Sequence, residues 1–188
     1  SDQKTILVGD FTAFNTFARN RIARMLPNGQ IDTSFDPGSG ADGFINRVYS
    51  YRPVSSSGTV TNGGIITTTS KPSQIASLGG RILIAGGFTS FNGASRNGIA
   101  RLTTNGTLDA TFNPGAGFNP GNVAASAVQD FVVQPDGKVI AVGNFTSFDN
   151  RPANKIGRLN ADGSYDDTFN GVGIGPNDTV YAVDVVLV

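Results

Sequence analysis

The chain has 188 residues and contains no Cys, His or Trp. Its 14 basic and 14 acidic residues balance, and 38% of its residues are hydrophobic, so the composition favours one domain with a real core over a disordered chain. This composition excludes a disulfide framework, a thiol nucleophile, a Ser-His-Asp triad and the common zinc sites. The balanced charge gives no reason to expect nucleic acid as a partner.

No apolar run approaches about 18 residues, so no insertion into a membrane is expected. No signal-peptide pattern is visible, and a start at Ser1 is typical of a processed or recombinant boundary.

The first predicted elements form an antiparallel pair. "TILVGDF" alternates apolar and other residues and predicts a strand, and a second strand carries Ile22. The turn "PNG" follows, with its Gly in the left-handed position of a three-residue hairpin loop. This hairpin predicts that Leu26 pairs with Gln30 and that Arg24 lies opposite Asp32.

The same unit occurs three times. "RMLPNGQIDTSF" begins at Arg24, "RLTTNGTLDATF" at Arg101 and "RLNADGSYDDTF" at Arg158. Each is preceded at constant distance by a second phrase, "VGDFTAFN", "AGGFTSFN" or "VGNFTSFD". The interval between the first two copies is longer than the interval between the last two, which predicts an insertion of about 20 residues in the first copy.

The acidic residues of this unit raise the question of a metal or catalytic site. A catalytic or metal-binding carboxylate is normally needed once, whereas these residues recur with every hairpin, so a structural role is favoured. "RLNADGSYDDTF" resembles a calcium loop, but Arg158 stands where the first Asp should be and the closing Glu is missing. No metal site is therefore predicted. The predicted cross-strand pairs are Arg24 with Asp32, Arg101 with Asp109, and Arg158 with Asp166.

Other residues recur with the same register. The Phe series could be a sugar-stacking platform, but its recurrence in every repeat favours a core between repeats. The Asn series is expected to hydrogen-bond loop backbone. The Phe residues are Phe11, Phe14, Phe35, Phe88, Phe91, Phe112, Phe145, Phe148 and Phe169, and the Asn residues are Asn20, Asn97 and Asn154.

One segment interrupts the repeat. It is "VYSYRPVSSSGTVTNGGIITTTSKPSQ", about residues 48–74, and either "VYSYRPV" or "SQIASL" could be the inner strand of the blade. Binding residues concentrate on loops carried by rigid scaffolds, although a tolerated surface elaboration is an equal alternative. The candidate ligand-binding residues are Tyr49, Tyr51, Arg52, Thr59, Thr61 and Asn62.

The string "GNFTSFDNRPANKIGRLNADGSYDDTFN", with "VVQPDGKVIAVG", resembles the delta sixty repeat, a β-propeller-like repeat of bacterial surface or secreted proteins and some phage structural proteins. The resemblance covers nearly the whole chain. It implies a fold and an extracellular, cell-surface or virion location, but no catalytic residues and no cofactor.

The predicted fold is all-β: a β-propeller of three repeats, each of about 57 residues. The repeats are about 1–80, 81–137 and 138–188, and an inner strand in 180–188 is expected to pair with 4–11 of the next blade. Propellers typically have 4 to 8 blades, so three repeats need completion. A homodimer is preferred, with further repeats of a parent protein or an open filament as alternatives.

The predicted function is a non-enzymatic binding or structural module that presents loops to glycans or proteins. The alternative is a polysaccharide hydrolase or lyase that uses carboxylates on a propeller face. Candidates for those carboxylates are Asp130, Asp178 and Asp184, and no pair of them has sequence evidence of close separation.

Overall fold

The structure is a computed structural model, and it describes residues 3–51, 79–118, 128–169 and 174–186. The predicted all-β class is confirmed, because the regular elements of these residues are strands. In the described ranges no helix is long and apolar enough to cross a membrane. The strands are β1 (Thr5–Val8), β2 (Ala13–Phe14), β3 (Phe17–Ala18), β4 (Ile22–Met25), β5 (Ile45–Ser50), β6 (Ile82–Gly86), β7 (Ser90–Phe91), β8 (Ala94–Ser95), β9 (Ile99–Leu102), β10 (Val128–Val133), β11 (Val139–Gly143), β12 (Ser147–Phe148), β13 (Arg151–Pro152) and β14 (Ile156–Leu159).

Two sheets have three antiparallel strands each and follow the same plan. In one, β6 lies between β5 and β9, and in the other, β11 lies between β10 and β14. A third sheet contains β1 and β4, which correspond to the last two strands of the other sheets. We call β5 and β10 the inner strands. Each inner strand comes from the end of one sequence repeat and joins the sheet of the next, so the sheets are permuted relative to the repeats.

The repeated hairpin has the expected register. The Leu26 amide donates to the Gln30 carbonyl at 2.8 Å, and the Gly29 amide donates back to Leu26 at 2.9 Å. Gly29 has a φ of 82°, a left-handed conformation that favours glycine. The turns at Gly106 and Gly163 close with the same two bonds, so this turn geometry sets the register of the hairpin in all three repeats.

The Phe residues of neighbouring repeats pack together. Phe35 of the first repeat lies in one buried cluster with Phe88 and Phe91 of the second. Phe112 and Phe118 share a second cluster with residues of the third repeat, among them Phe145 and Phe148. Burial of such rings contributes roughly 1.5 to 3 kcal/mol each, which makes the contacts between repeats the main apolar core.

Backbone bridges connect the repeats as well. Ala41 forms an antiparallel bridge with Phe91, and Phe118 forms the same bridge with Phe148. The inner strands are also linked, because the Asn46 amide group donates to the Val128 carbonyl at 3.0 Å. Successive sheets are therefore joined at corresponding places.

Candidate functional site

The structure brings each recurring Arg–Asp pair together. Nε of the arginine lies 2.7, 2.7 and 2.6 Å from Oδ2 of the aspartate in the first, second and third repeats. The aspartates Asp32, Asp109 and Asp166 are buried, with 3% to 4% of their surface exposed. Burying a carboxylate costs folding free energy unless it is paired and hydrogen-bonded, so each aspartate can be buried only because the arginine is beside it.

A second cation reaches each carboxylate, and our reading of the sequence missed it. Lys4, Arg81 and Lys138 lie 3.0, 2.9 and 2.8 Å from the same Oδ2 atoms. The signal is present in "KTILVG", "RILIAG" and "KVIAVG", where a cation precedes each corresponding strand. Each aspartate is thus shared by two strands of one sheet and the turn beyond them.

The other carboxylate oxygen closes the turn after the hairpin. Oδ1 of Asp109 accepts from the Thr111 amide at 3.0 Å and from its hydroxyl at 2.7 Å, and Ser34 and Thr168 make the same contacts with Asp32 and Asp166. Desolvation is the largest single influence on each pKa and raises it. The hydrogen bonds from these hydroxyls and from the cations together outweigh it and hold all three pKa values below their ordinary range.

These lowered pKa values predict acid sensitivity. In the unfolded chain an Asp has a pKa of about 3.9, so the stabilisation from the three carboxylates is fully present above that pH and is lost as the pH falls towards the folded-state pKa values. We expect the melting temperature to fall progressively below about pH 5. Thermal melting between pH 7 and pH 2 measures this. An Asp109→Asn variant should show a shallower decline, and a melting temperature independent of pH over the acidic range would contradict the prediction.

Two of the three arginines, Arg24 and Arg101, also contact the next repeat. The Nη1 atoms of Arg24 and Arg101 donate to the carbonyls of Thr104 and Ala161, which occupy the same position in the following turns. The guanidinium groups lie over Phe rings of their own repeats, at 4.7 to 4.9 Å from the ring centres. The recurring charged residues therefore hold the repeats together.

The loop that resembles a calcium site is closed by its own hydrogen bonds. Oδ1 of Asp162 accepts from the Ser164 amide at 3.0 Å and from its hydroxyl at 2.7 Å, the contacts of an ordinary Asx turn. The part of the chain that the structure describes contains no group of three or more acidic residues placed to hold a metal ion.

Among the described residues, one ion pair joins the two inner strands. Arg47 of β5 lies 2.9 Å from Oδ1 of Asp130 in β10, and its side chain is 51% exposed. Oδ2 of Asp130 accepts from the Val183 amide at 3.1 Å, so both oxygens are engaged. Asp178 and Asp184 lie in exposed positions, and each accepts from the amide of the following residue.

The insertion replaces a short turn between an inner strand and the next strand. The Tyr51 amide donates to the Arg81 carbonyl at 2.8 Å, and the Gly80 amide donates to Tyr51 at 2.6 Å. Gln134 makes the same two bonds, with Lys138 at 2.8 Å and with Gly137 at 2.9 Å. The structure therefore corrects the expected boundary at Val48: Val48 to Ser50 belong to β5, and the insertion lies between Tyr51 and Gly80. Of the two alternatives, the string "VYSYRPV" therefore contributes to the inner strand, because its first three residues are the end of β5.

The lengths agree with this position. Twenty-eight residues separate Tyr51 from Gly80, whereas the third repeat has two at the same place, an excess of 26. A second length difference lies just before the inner strands. Nine residues separate Phe118 from Val128, the first residue of β10, whereas the corresponding segment before β5 has three, so the later repeat has an excess of six. The difference between these two excesses accounts for the extra length of the first interval in the sequence.

The candidate binding residues are divided by the structure. Tyr49 is 36% exposed, and its ring meets the ring of Tyr51 edge-on with centres 5.1 Å apart. Tyr51 is 1% exposed and lies in the core, where burial raises the pKa of its hydroxyl. It thus supports Tyr49 and does not itself face solvent. The remaining candidates, Arg52, Thr59, Thr61 and Asn62, lie outside the described residues.

Comparison with known families agrees with this architecture. The chain matches the family described as "Domain of unknown function (DUF5122) beta-propeller" over residues 1–35, 80–112 and 134–169. Each matched range covers one copy of the hairpin unit, and together they include more than half of the chain. No curated protein and no solved structure matches the chain. The sequence repeats, the recurring sheets and this match together confirm the expected β-propeller repeat, and the chain belongs to this β-propeller family.

Proposed function

We propose that the chain is a non-enzymatic binding or structural module, built from repeats of the delta sixty type, in a bacterial surface or secreted protein or a phage virion. The supporting observation is the stem of the insertion. The bonds of Tyr51 to Arg81 and Gly80 are those of the plain turn at Gln134, so a long unique segment stands on an unchanged sheet. A rigid scaffold that carries a unique loop is the usual arrangement of a recognition surface.

The use of the acidic residues supports binding over hydrolysis. Asp32, Asp109 and Asp166 each receive two cations and a hydroxyl, and Asp130 has both oxygens engaged. A general acid or nucleophilic carboxylate must instead have an oxygen available to the substrate. These four carboxylates are committed to holding strands and turns.

The ligand is a glycan or a protein surface. It binds beside β5, at the end of the strand that leads into the insertion. Tyr49 offers a partly exposed ring, held in place by the buried ring of Tyr51. A tyrosine presents both an apolar face, which can stack on a sugar ring, and a hydroxyl that can donate a hydrogen bond. Tyr49 is therefore the described residue that we place in the binding surface.

Binding of the intact chain to a glycan array, followed by titration with the best glycan, tests this function. We expect Tyr49→Ala to weaken binding about tenfold or more, which corresponds to about 1.4 kcal/mol. Phe17→Ala is the matched control, because Phe17 is another exposed aromatic residue, 43% accessible, on the short hairpin of the first repeat. The control should bind as the parent does.

Two results would contradict the proposal. One is glycan binding that is unaffected by Tyr49→Ala and by removal of the insertion. The other is turnover of a polysaccharide that is lost in Asp130→Asn, which would favour a hydrolase or lyase.

A further inference from the structure

The first sheet has an open edge. β1 pairs with β4, and in the described residues no strand lies on its other side, whereas β6 and β11 are paired on both sides. Because the Gly9 amide donates towards β4, to the Arg21 carbonyl at 3.1 Å, the alternation of an antiparallel pair turns the amides of Ile6 and Val8 to the open edge. The corresponding residues of β6, Leu83 and Ala85, are paired with β5 there.

Other residues of the first repeat also lack the neighbours that a preceding repeat provides for their counterparts. Phe88, Phe91, Phe145 and Phe148 are buried, but the corresponding Phe11 and Phe14 are only partly buried. A Cβ built on Gly106 or Gly163 would meet backbone of the preceding repeat at 3.0 Å, while one on Gly29 meets no described atom within 4 Å. The first repeat thus has the surface that the other two repeats bury against a predecessor.

Residues 174–186 follow the third repeat in the same way that the segment leading to β5 follows the first repeat. The Asn154 amide group donates to the Ile174 carbonyl at 2.8 Å, as Asn20 does to Ser39 at 2.8 Å. Six residues further on, the Val180 amide donates to the Gly143 carbonyl at 3.4 Å, and the corresponding Ile45 amide donates to the Gly9 carbonyl at 3.1 Å. Val180 therefore corresponds to Ile45, the first residue of β5.

This segment carries apolar groups that are not covered. Tyr181 is 75% exposed and Val186 is 79% exposed. Arg158 is the most exposed of the three recurring arginines, with 20% of its side chain accessible against 2% for Arg101. Its counterparts donate to the turn carbonyl of the following repeat, at the position that Pro27 holds in the first repeat.

We infer that residues 180–186 of one copy add as an antiparallel strand to the open edge of β1 in a second copy. The register follows from the pairing of β5 with β6: Val180 lies opposite Gly9 of the partner subunit, and Val183 lies opposite Leu7 of the partner subunit, as Val48 lies opposite Ile84. Arg158 then donates to the carbonyl of Pro27 of the partner subunit. Main-chain bonds to an open edge give such a contact its affinity.

The contact joins unlike surfaces, so it forms a ring if the rotation closes and a filament if it does not. Each copy supplies three blades, built on β1, β6 and β11, so two copies supply six, which lies within the roughly 4 to 8 blades of closed propellers. We therefore assign closure to a pair of chains, in which each copy donates one strand and receives one.

Engineered cysteines test the contact directly, because the chain has none of its own. The Tyr51 amide bonds to the Arg81 carbonyl, so the alternation of an antiparallel ladder makes Val48 and Ile84 a non-hydrogen-bonded pair, whose short Cα separation suits a disulfide. The variant Leu7→Cys with Val183→Cys places two thiols at the corresponding positions of two copies. After mild oxidation we expect a covalent species of twice the 19.5 kDa chain on a non-reducing gel, and light scattering of the parent should give the same doubled mass.

The matched control is Leu7→Cys with Val186→Cys. An ungapped alignment of "AVDVV", which starts at Ala182, with "AVQDF", which starts at Ala127, would place Val186 opposite Leu7. In the register inferred above, Val186 instead faces the other side of the strand. Cross-linking of this control in preference to the first variant would overturn the register. A monomer in light scattering, with no intermolecular cross-link in either variant, would show that a second copy does not occupy the open edge of β1. Further repeats of a longer chain would then be its partner. A ladder of higher multiples would overturn closure at two.

Discussion

Replacing Asp109 with alanine is expected to lower the free energy of unfolding by about 3 to 5 kcal/mol, the usual cost of removing one partner from a buried ion pair. Arg101 is 2% exposed, and without the carboxylate its charge is left buried beside that of Arg81. The turn bonds from Thr111 to the same aspartate are lost too. Urea denaturation followed by circular dichroism measures the change, provided that the slope with urea is unchanged.

The repeats themselves supply graded comparisons. Arg24 and Arg158 are 14% and 20% exposed, so water compensates part of the loss in Asp32→Ala and Asp166→Ala, and both should cost less than Asp109→Ala. Asp167→Ala, at an exposed neighbouring position, should change stability by no more than about 0.5 kcal/mol. A loss at Asp109 equal to that at Asp167 would mean that the buried cluster does not stabilise the fold.

Replacing residues 52–79 with Pro-Asp, the turn of the third repeat, is expected to raise the free energy of unfolding by about 2 kcal/mol, because a shorter loop costs less entropy to close. The Tyr51 and Gly80 bonds already match those of Gln134 and Gly137, so the short turn fits the same stem. Loop closure costs about 0.6 kcal/mol for each doubling of length, and the replacement removes almost four doublings. Urea denaturation of the parent and the shortened chain measures the gain.

A Gly/Ser segment of equal length between Tyr51 and Gly80 is the control, because it keeps the loop length and removes its sequence. It should be about as stable as the parent and should bind ligand no better than the shortened chain. If the shortened chain is instead strongly destabilised, the insertion contributes packing to the propeller and is not a loop carried by it.

The elements that the sequence predicted well depend on local chemistry. The turn at Gly29 and the opposition of Arg24 and Asp32 follow from turn type and strand alternation within a few residues. The burial of Phe91 and Phe148 follows from recurrence, since a residue that returns with every repeat faces the neighbouring repeat. In such cases a single repeat contains the information needed.

The features that the sequence predicted poorly depend on comparing the lengths of repeats or on contacts between residues far apart along the chain. The insertion boundary was placed at Val48, since two length differences of opposite effect combine into the single interval between the first two copies. The second cation at Lys4, Arg81 and Lys138 was missed, because it is far from its aspartate along the chain and only the sheet brings the two together. The strand alignment of residues 180–186 depends on a side-chain bond of Asn154 to the Ile174 carbonyl and a backbone bond of Val180, which similarity of the sequence does not reveal.

Within a single chain, the contacts of Arg24 and Arg101 with the following turns make chemically similar repeats unequal in energy. The middle repeat contributes the Thr104 carbonyl to Arg24 and, through Arg101, binds the Ala161 carbonyl, so it accepts from one neighbour and donates to the other. Fraying of an outer repeat breaks one such link, whereas opening of the middle repeat breaks both. A single chain, before it joins a second copy, is a linear array with nearest-neighbour coupling, and in it the amide protons of β6 and β9 should be the last to exchange with solvent.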